Sequence, residues 1–308
     1  MLACAVSVLI AGSSETNRWE SPYDLAQFKT LYASSHEGEL MLGYFLSFFR
    51  DALGESEGAA VSPTAIDFLE RAMVLHPSNQ FVLQTALNVC QKVKHQNLRL
   101  CQANIEETLV DLDTSNGIYE WQLAARQFRE GQSVRALQSM QRAADADQMS
   151  IRWEVQSHAL SDATERVSGA RRIRNDDVIL WIIGFAAQNL PRVSPLFEVC
   201  RAELSDAEWR QACLDVGRAM EDKGSTVIAV KVGMALQRVI YEDSQKASEL
   251  AALESREKAL SDLTSKTVGL DVCDVTANTD FRTYFDRLLA FGEIGMLSDC
   301  YTKSGYVN

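Results

Sequence analysis

The sequence predicts an all-α fold built of antiparallel helical hairpins. Three observations predict it. The stretch 118–147 reads as two amphipathic helices joined by a turn at Gly131. A sparse copy of its second helix lies upstream at a fixed offset. The composition, 46% hydrophobic with five prolines, suits long helices rich in Ala, Leu, Glu, Gln and Arg, and no convincing alternating strand pair interrupts them.

The hairpin comes first. Ala136, Met140 and Ala143 fall four and three residues apart, which puts them on one helical face. Two alanines there let a paired helix approach closely, and Met140 fills the space beside them. Trp121, Leu123 and Phe128 are the large apolar groups of the first helix, and Gly131 sits where the chain must leave one helix and enter the next.

The copy keeps the spacing. Ala65, Leu69, Ala72 and Pro77 each precede Ala136, Met140, Ala143 and Gln148 by 71 residues, and Arg71–Ala72 matches Arg142–Ala143. Residues 75–79 (LHPSN) look like 112–116 (LDTSN), which gives Thr114 the place of Pro77. The steps are then 37 and 34 residues, so the middle copy carries a short insertion.

This spacing resembles the tetratricopeptide repeat, a 34-residue helix–turn–helix with small residues at fixed positions and a proline at the repeat end. Leu123 and Ala124 fit its Leu-Gly pair, Ala136, Met140 and Ala143 its Ala, Phe and Ala, and Pro77 its terminal proline. The chain departs from the pattern at Trp121, one place late, at Gln127 and Cys90, which replace the tyrosine, and at Gln148, which replaces the proline. The resemblance covers roughly residues 60–148. It implies a right-handed superhelical array of hairpins, an α-solenoid, whose first helices line a concave groove. The groove residues would be Phe81, Gln84, Asn88 and Gln91 from one repeat, and Ile118, Trp121, Ala125 and Phe128 from the next. Asn and Gln would bond an extended backbone while Trp and Phe anchor it, so the expected partner is a protein or peptide. The plainer account of Trp121 and Phe128 is packing.

Other elements follow in order. Pro22 suits a helix start, and the Phe-rich run 37–53 should be a core helix with Phe45, Phe48 and Phe49 inward. Ser62-Pro63 opens the helix carrying Ala65, and further helices are expected at 80–92, 97–112, 118–129 and 133–146. After Gln148 the repeat degrades: Trp153 can open a helix, but 161–174 reads as short and polar, and a weak seam falls over 148–173. A buried helix is expected from Val178, then a hairpin around 200–213 with Ser205 and Glu208 as a capping box, an apolar helix over 227–241, a charged, Ala/Leu-patterned amphipathic cap over 242–266, and two short helices over 280–300. The organisation expected is a leader segment 1–13, repeats over 14–148, and further hairpins with a C-terminal cap over 149–308.

The net charge of −12 repels nucleic acid and anionic membrane surfaces, so neither is an expected partner. Residues 2–11 form an apolar run too short to span a bilayer, and it reads as the core of a secretory signal with Ala11-Gly12-Ser13 as a cleavage site; a buried N-terminal helix is the alternative. Setting Cys4 aside, six cysteines remain, and an even count behind such a start suggests disulfides in a periplasmic or secreted protein; free thiols in the cytoplasm are the alternative. Cys90 and Cys101 are equidistant from a turn near His95, and Cys200 and Cys213 from one near Asp206. Residues symmetric about a hairpin turn face each other, which predicts Cys90–Cys101 and Cys200–Cys213 and leaves Cys273–Cys300. Each short loop would stabilise by about 3 kcal/mol in the chain-entropy picture.

No catalytic residue, metal site or cofactor is expected. Cys90, His95 and Cys101 offer three zinc ligands without a fourth and are better explained as a bridged hairpin. Residues 111–117 hint at a calcium loop, but the glycine is one place late and Gln122 stands where a glutamate belongs, so an inter-repeat turn is the better reading. Arg171, Arg172 and Arg174 could grip an anion, but with Asp176 and Asp177 adjacent a self-neutralised surface turn is the better reading. The chain holds no nucleophile elbow, phosphate loop or dinucleotide fingerprint. The leading expectation is therefore an exported binding scaffold of the cell envelope. An enzyme with its site in the helical second half, or a structural envelope component, are the alternatives.

Overall fold

The structure, a computed structural model, describes residues 25–52, 64–91, 98–168, 190–267, 293–296 and 298. Among the described residues every regular element is helical. They sort into two compact units. One holds the described residues up to Ala103 with 155–168 and Leu190; the other holds 104–154 and the described residues from Pro191 onward.

The first unit carries α1 (Leu25–Ala33), α2 (Glu37–Ala52), α3 (Ala65–Leu75), α4 (Gln80–Cys90), a 3-10 turn (Arg99–Gln102) and most of α8 (Trp153–Ser168). Helix α2 packs on α1 and α3, and α3 on α4. A Cβ at Gly43 would run into the Phe68 ring, so α2 meets α3 with no room for a side chain there. Ala65, Leu69 and Ala72 are buried, as their spacing predicts. Phe45 is buried and stacks on Phe81 at 6.1 Å, and Phe48 is half-buried. Ser62 and Pro63 lie outside the described residues, and Thr64 caps α3. The Thr64 hydroxyl accepts from Asp67 N at 3.2 Å, and the Asp67 carboxylate accepts from Thr64 N at 2.8 Å.

The second unit carries α5 (Ile105–Leu112), α6 (Gly117–Arg129), α7 (Ser133–Asp145), α9 (Ser194–Ala202), α10 (Ala207–Lys223), α11 (Val227–Asp243) and α12 (Ala247–Thr267). Helix α6 is enclosed by α5, α7 and α9. Helix α7 packs on α6 and α10, α10 on α11, and α11 on α12. The α6–α7 turn is made at Gly131, whose φ of +75° is the left-handed region that glycine enters without cost. Ala136, Met140 and Ala143 are all buried against the rest of the unit.

A second close contact joins α10 to α11. A Cβ on Gly217 would sit 3.0 Å from the Gly233 carbonyl oxygen. A Cβ on Gly233 would strike the Gly217 carbonyl and lie 2.8 Å from Glu221 N. Gln237 locks this crossing, donating to Gly217 O at 3.3 Å and to Glu221 Oε2 at 2.6 Å. Arg256 of α12 reaches the same Glu221 at 2.6 Å.

Several sequence expectations are corrected. The helix expected over 97–112 is divided into the 3-10 turn and α5. Residues 161–168 continue α8 instead of forming a polar break, because Leu160, Ala163 and Thr164 pack inside and Thr164 Oγ1 donates to Leu160 O at 2.8 Å. Asp206, not Ser205, caps α10, its carboxylate accepting from Glu208 N at 2.8 Å and Trp209 N at 3.1 Å. The helix expected over 242–266 breaks between α11 and α12, where Gln245 has φ 53°. The leader, Phe49's side chain, the helix from Val178, the Arg171–Arg174 cluster, His95, Cys273 and Cys300 lie outside the described residues.

Candidate functional site

The expected groove residues are largely interior. Phe81, Gln84 and Asn88 of α4 are buried, and so are Ile118, Trp121 and Ala125 of α6. Only Gln91 and Phe128 are half-open, and Phe128 meets Trp209 edge-on at 5.7 Å. The reason on α6 is its three helical neighbours: a first helix enclosed on three sides has no concave face to offer. Trp121 is 1% exposed, so it packs and does not anchor a partner from this position. Gln84 bonds Asn88 within α4, its Nε2 donating to Asn88 Oδ1 at 3.2 Å.

The calcium-like segment is the turn between α5 and α6, and it is the hub of a polar junction within the second unit. Asn116 Nδ2 donates to Ser150 O at 2.8 Å, and Asn116 Oδ1 accepts from Ile118 N and Ser150 N at 3.2 Å each. Gln148 Nε2 donates to the Ser115 hydroxyl at 2.9 Å, and Arg152 Nη2 to Asp113 Oδ2 at 2.7 Å. Burial raises the Asp113 pKa, but the bonds from Arg152 and Ser115 outweigh it and hold the carboxyl below its usual range. Arg152 takes φ 54°, a conformation that L side chains rarely adopt. Asp113 is thus spoken for as an arginine and turn acceptor, which suits a staple and not an ion cage.

Charge also fastens the hairpin. Arg142 clamps the buried Glu120 through Nε at 2.8 Å and Nη2 at 3.1 Å, and Ser139 links the same arginine to Gln127. Arg126 gathers Glu106, Glu107 and Glu130, and burial lifts the Glu106 carboxyl above its usual range.

The two cysteine pairs Cys90–Cys101 and Cys200–Cys213 lie at disulfide distance, with Cα separations of 5.3 and 5.8 Å. Bonding to each other takes both Cys90 and Cys101 out of the zinc-ligand set. Among the described residues no group of His, Cys, Asp and Glu is placed to hold a metal ion. His76 tethers α3 instead, its Nε2 lying 2.9 Å from Ser35 O. No helix among the described residues is long and apolar enough to cross a membrane.

The surface that stands out is on α12. This helix is 21 residues long and rests on α11, and among its described side chains only Leu253 is fully buried. Ser248, Ala252, Ser255 and Ala259 are all exposed and fall four, three and four residues apart. That is the spacing of Ala136, Met140 and Ala143, which is buried in α7. No family model matches the chain, no curated protein is similar to it, and no solved structure matches it.

Proposed function

We propose that this protein is an exported helical scaffold that binds another protein, which lays a helix on the small-residue face of α12. The observation that carries this reading is the exposed row Ser248, Ala252, Ser255 and Ala259, a helix-packing face with the spacing used inside the hairpins. Small side chains let two helices approach and bury area along their length. The net charge of −12 would speed encounter with a partner whose docking helix is flanked by Lys and Arg. Two cysteine pairs at bonding distance are compatible with an oxidising compartment, which supports export to the periplasm or beyond.

The test is affinity capture from a native envelope fraction, with the wild-type chain and an Ala252→Arg/Ala259→Arg variant as parallel baits. Both positions are exposed, so helix content and the unfolding midpoint should stay at wild-type values. The reading expects the partner recovered by the wild type to be lost from the variant. Equal recovery by a folded variant would remove α12 as the binding face, and a wild-type bait that enriches nothing would remove the scaffold reading.

A further inference from the structure

The two disulfides differ in what surrounds them. Cys200 and Cys213 are 1% and 0% exposed, held inside the second unit between α9 and the middle of α10. Cys90 and Cys101 are both half-buried, and they tie the last residue of α4 to the 3-10 turn Arg99–Gln102. Thiol–disulfide exchange requires a thiolate to reach a bridge sulfur, so access separates the two bridges even where the fold is intact. The buried one can be attacked only after α9 or α10 opens, and the other from the surface. Around Cys101 the neighbours Arg99, Gln102 and Ala103 are exposed, Cys101 itself is part-exposed, and Leu100 is buried, so the turn keeps one apolar residue in.

We infer that Cys90–Cys101 is a redox-operated fastener, opened by a dithiol reductant while the helical core stays folded, and that its opening releases the 3-10 turn from α4. The thiolate of the reductant attacks one sulfur of the bridge, and the other cysteine leaves as a thiolate and takes a proton. The second thiol of the reductant then breaks the mixed disulfide, releasing the first cysteine. The bridge gains two electrons and two protons, and the reductant departs as its own disulfide. Helix α4 keeps its own supports: Asn79 caps its start, accepting from Val82 N at 3.1 Å, and residues 81–89 are buried. The turn has less to hold it, since Leu100 is its one fully buried residue and Leu98 supplies no side-chain cap. This inference does not rest on the partner proposed above.

The experiment is graded reduction of the full-length oxidised protein with dithiothreitol in native buffer, quenched by alkylation and mapped by mass spectrometry. Cys90 and Cys101 should be alkylated at least about tenfold faster than Cys200 and Cys213, as local access against sub-global opening predicts. Far-UV circular dichroism should hold steady at that stage, while amide exchange quickens over 98–102. A Cys90→Ser/Cys101→Ser variant should reproduce the faster exchange over 98–102 without any reductant. The inference is overturned if the two bridges open together, if Cys200–Cys213 opens first, or if neither opens before helix is lost.

Discussion

The hairpins α6–α7 and α10–α11 solve the same problem with different residues. Both bring two helices close within one unit. In α6–α7 the small Ala136 and Ala143 are buried beside Met140, and the Arg142–Glu120 ion pair fastens the two helices. In α10–α11 it is set by Gly217 and Gly233 meeting backbone to backbone, with Gln237 bonded into the crossing. Alanine leaves a methyl between helices; glycine leaves nothing. The first contact tolerates adjustment because Met140 is flexible. The second has no side chain to move, so its tolerance is set by the backbone.

Substitutions at the two crossings should therefore differ in cost. The largest effect is expected at Met140, which is 1% exposed. Met140→Ala should leave a cavity beside α7 and cost about 3 kcal/mol in urea unfolding. A cost below about 1 kcal/mol would mean that the hairpin collapses around the loss and is not held by that side chain. A smaller effect is expected at Gln237, also 1% exposed. Gln237→Leu removes the bonds to Gly217 O and Glu221 but leaves Glu221 its Arg256 partner, so the cost should be about 1 kcal/mol. A neutral result would show that the glycine crossing needs no polar lock.

The two hairpins were not equally legible in the sequence. Alanines four and three apart with a methionine between them announce a packed face, and Gly131 announces its turn by composition alone. The cysteine pairs were legible for a related reason: symmetry about a turn is a property of residue numbers. Gly217 and Gly233 carry no such signal, since a glycine inside a helix reads as a weakness unless the helix it touches is known. The junction of Asp113, Ser115, Asn116, Gln148, Ser150 and Arg152 was hidden because its partners lie 33 to 39 residues apart. The expected groove failed for a physical reason: whether a first helix faces outward depends on neighbours such as α9, which no repeat pattern encodes.

Side-chain size at the helix contacts sets how these hairpins pack, and for Gly233→Ala the two possible outcomes differ in sign. In a helix with room for a methyl group, the change stabilises by about 1 kcal/mol. Here the new Cβ would strike the Gly217 carbonyl, so the urea midpoint should fall, with a loss of about 2 kcal/mol. A midpoint that rises or stays where it was would contradict the close crossing and the account built on it.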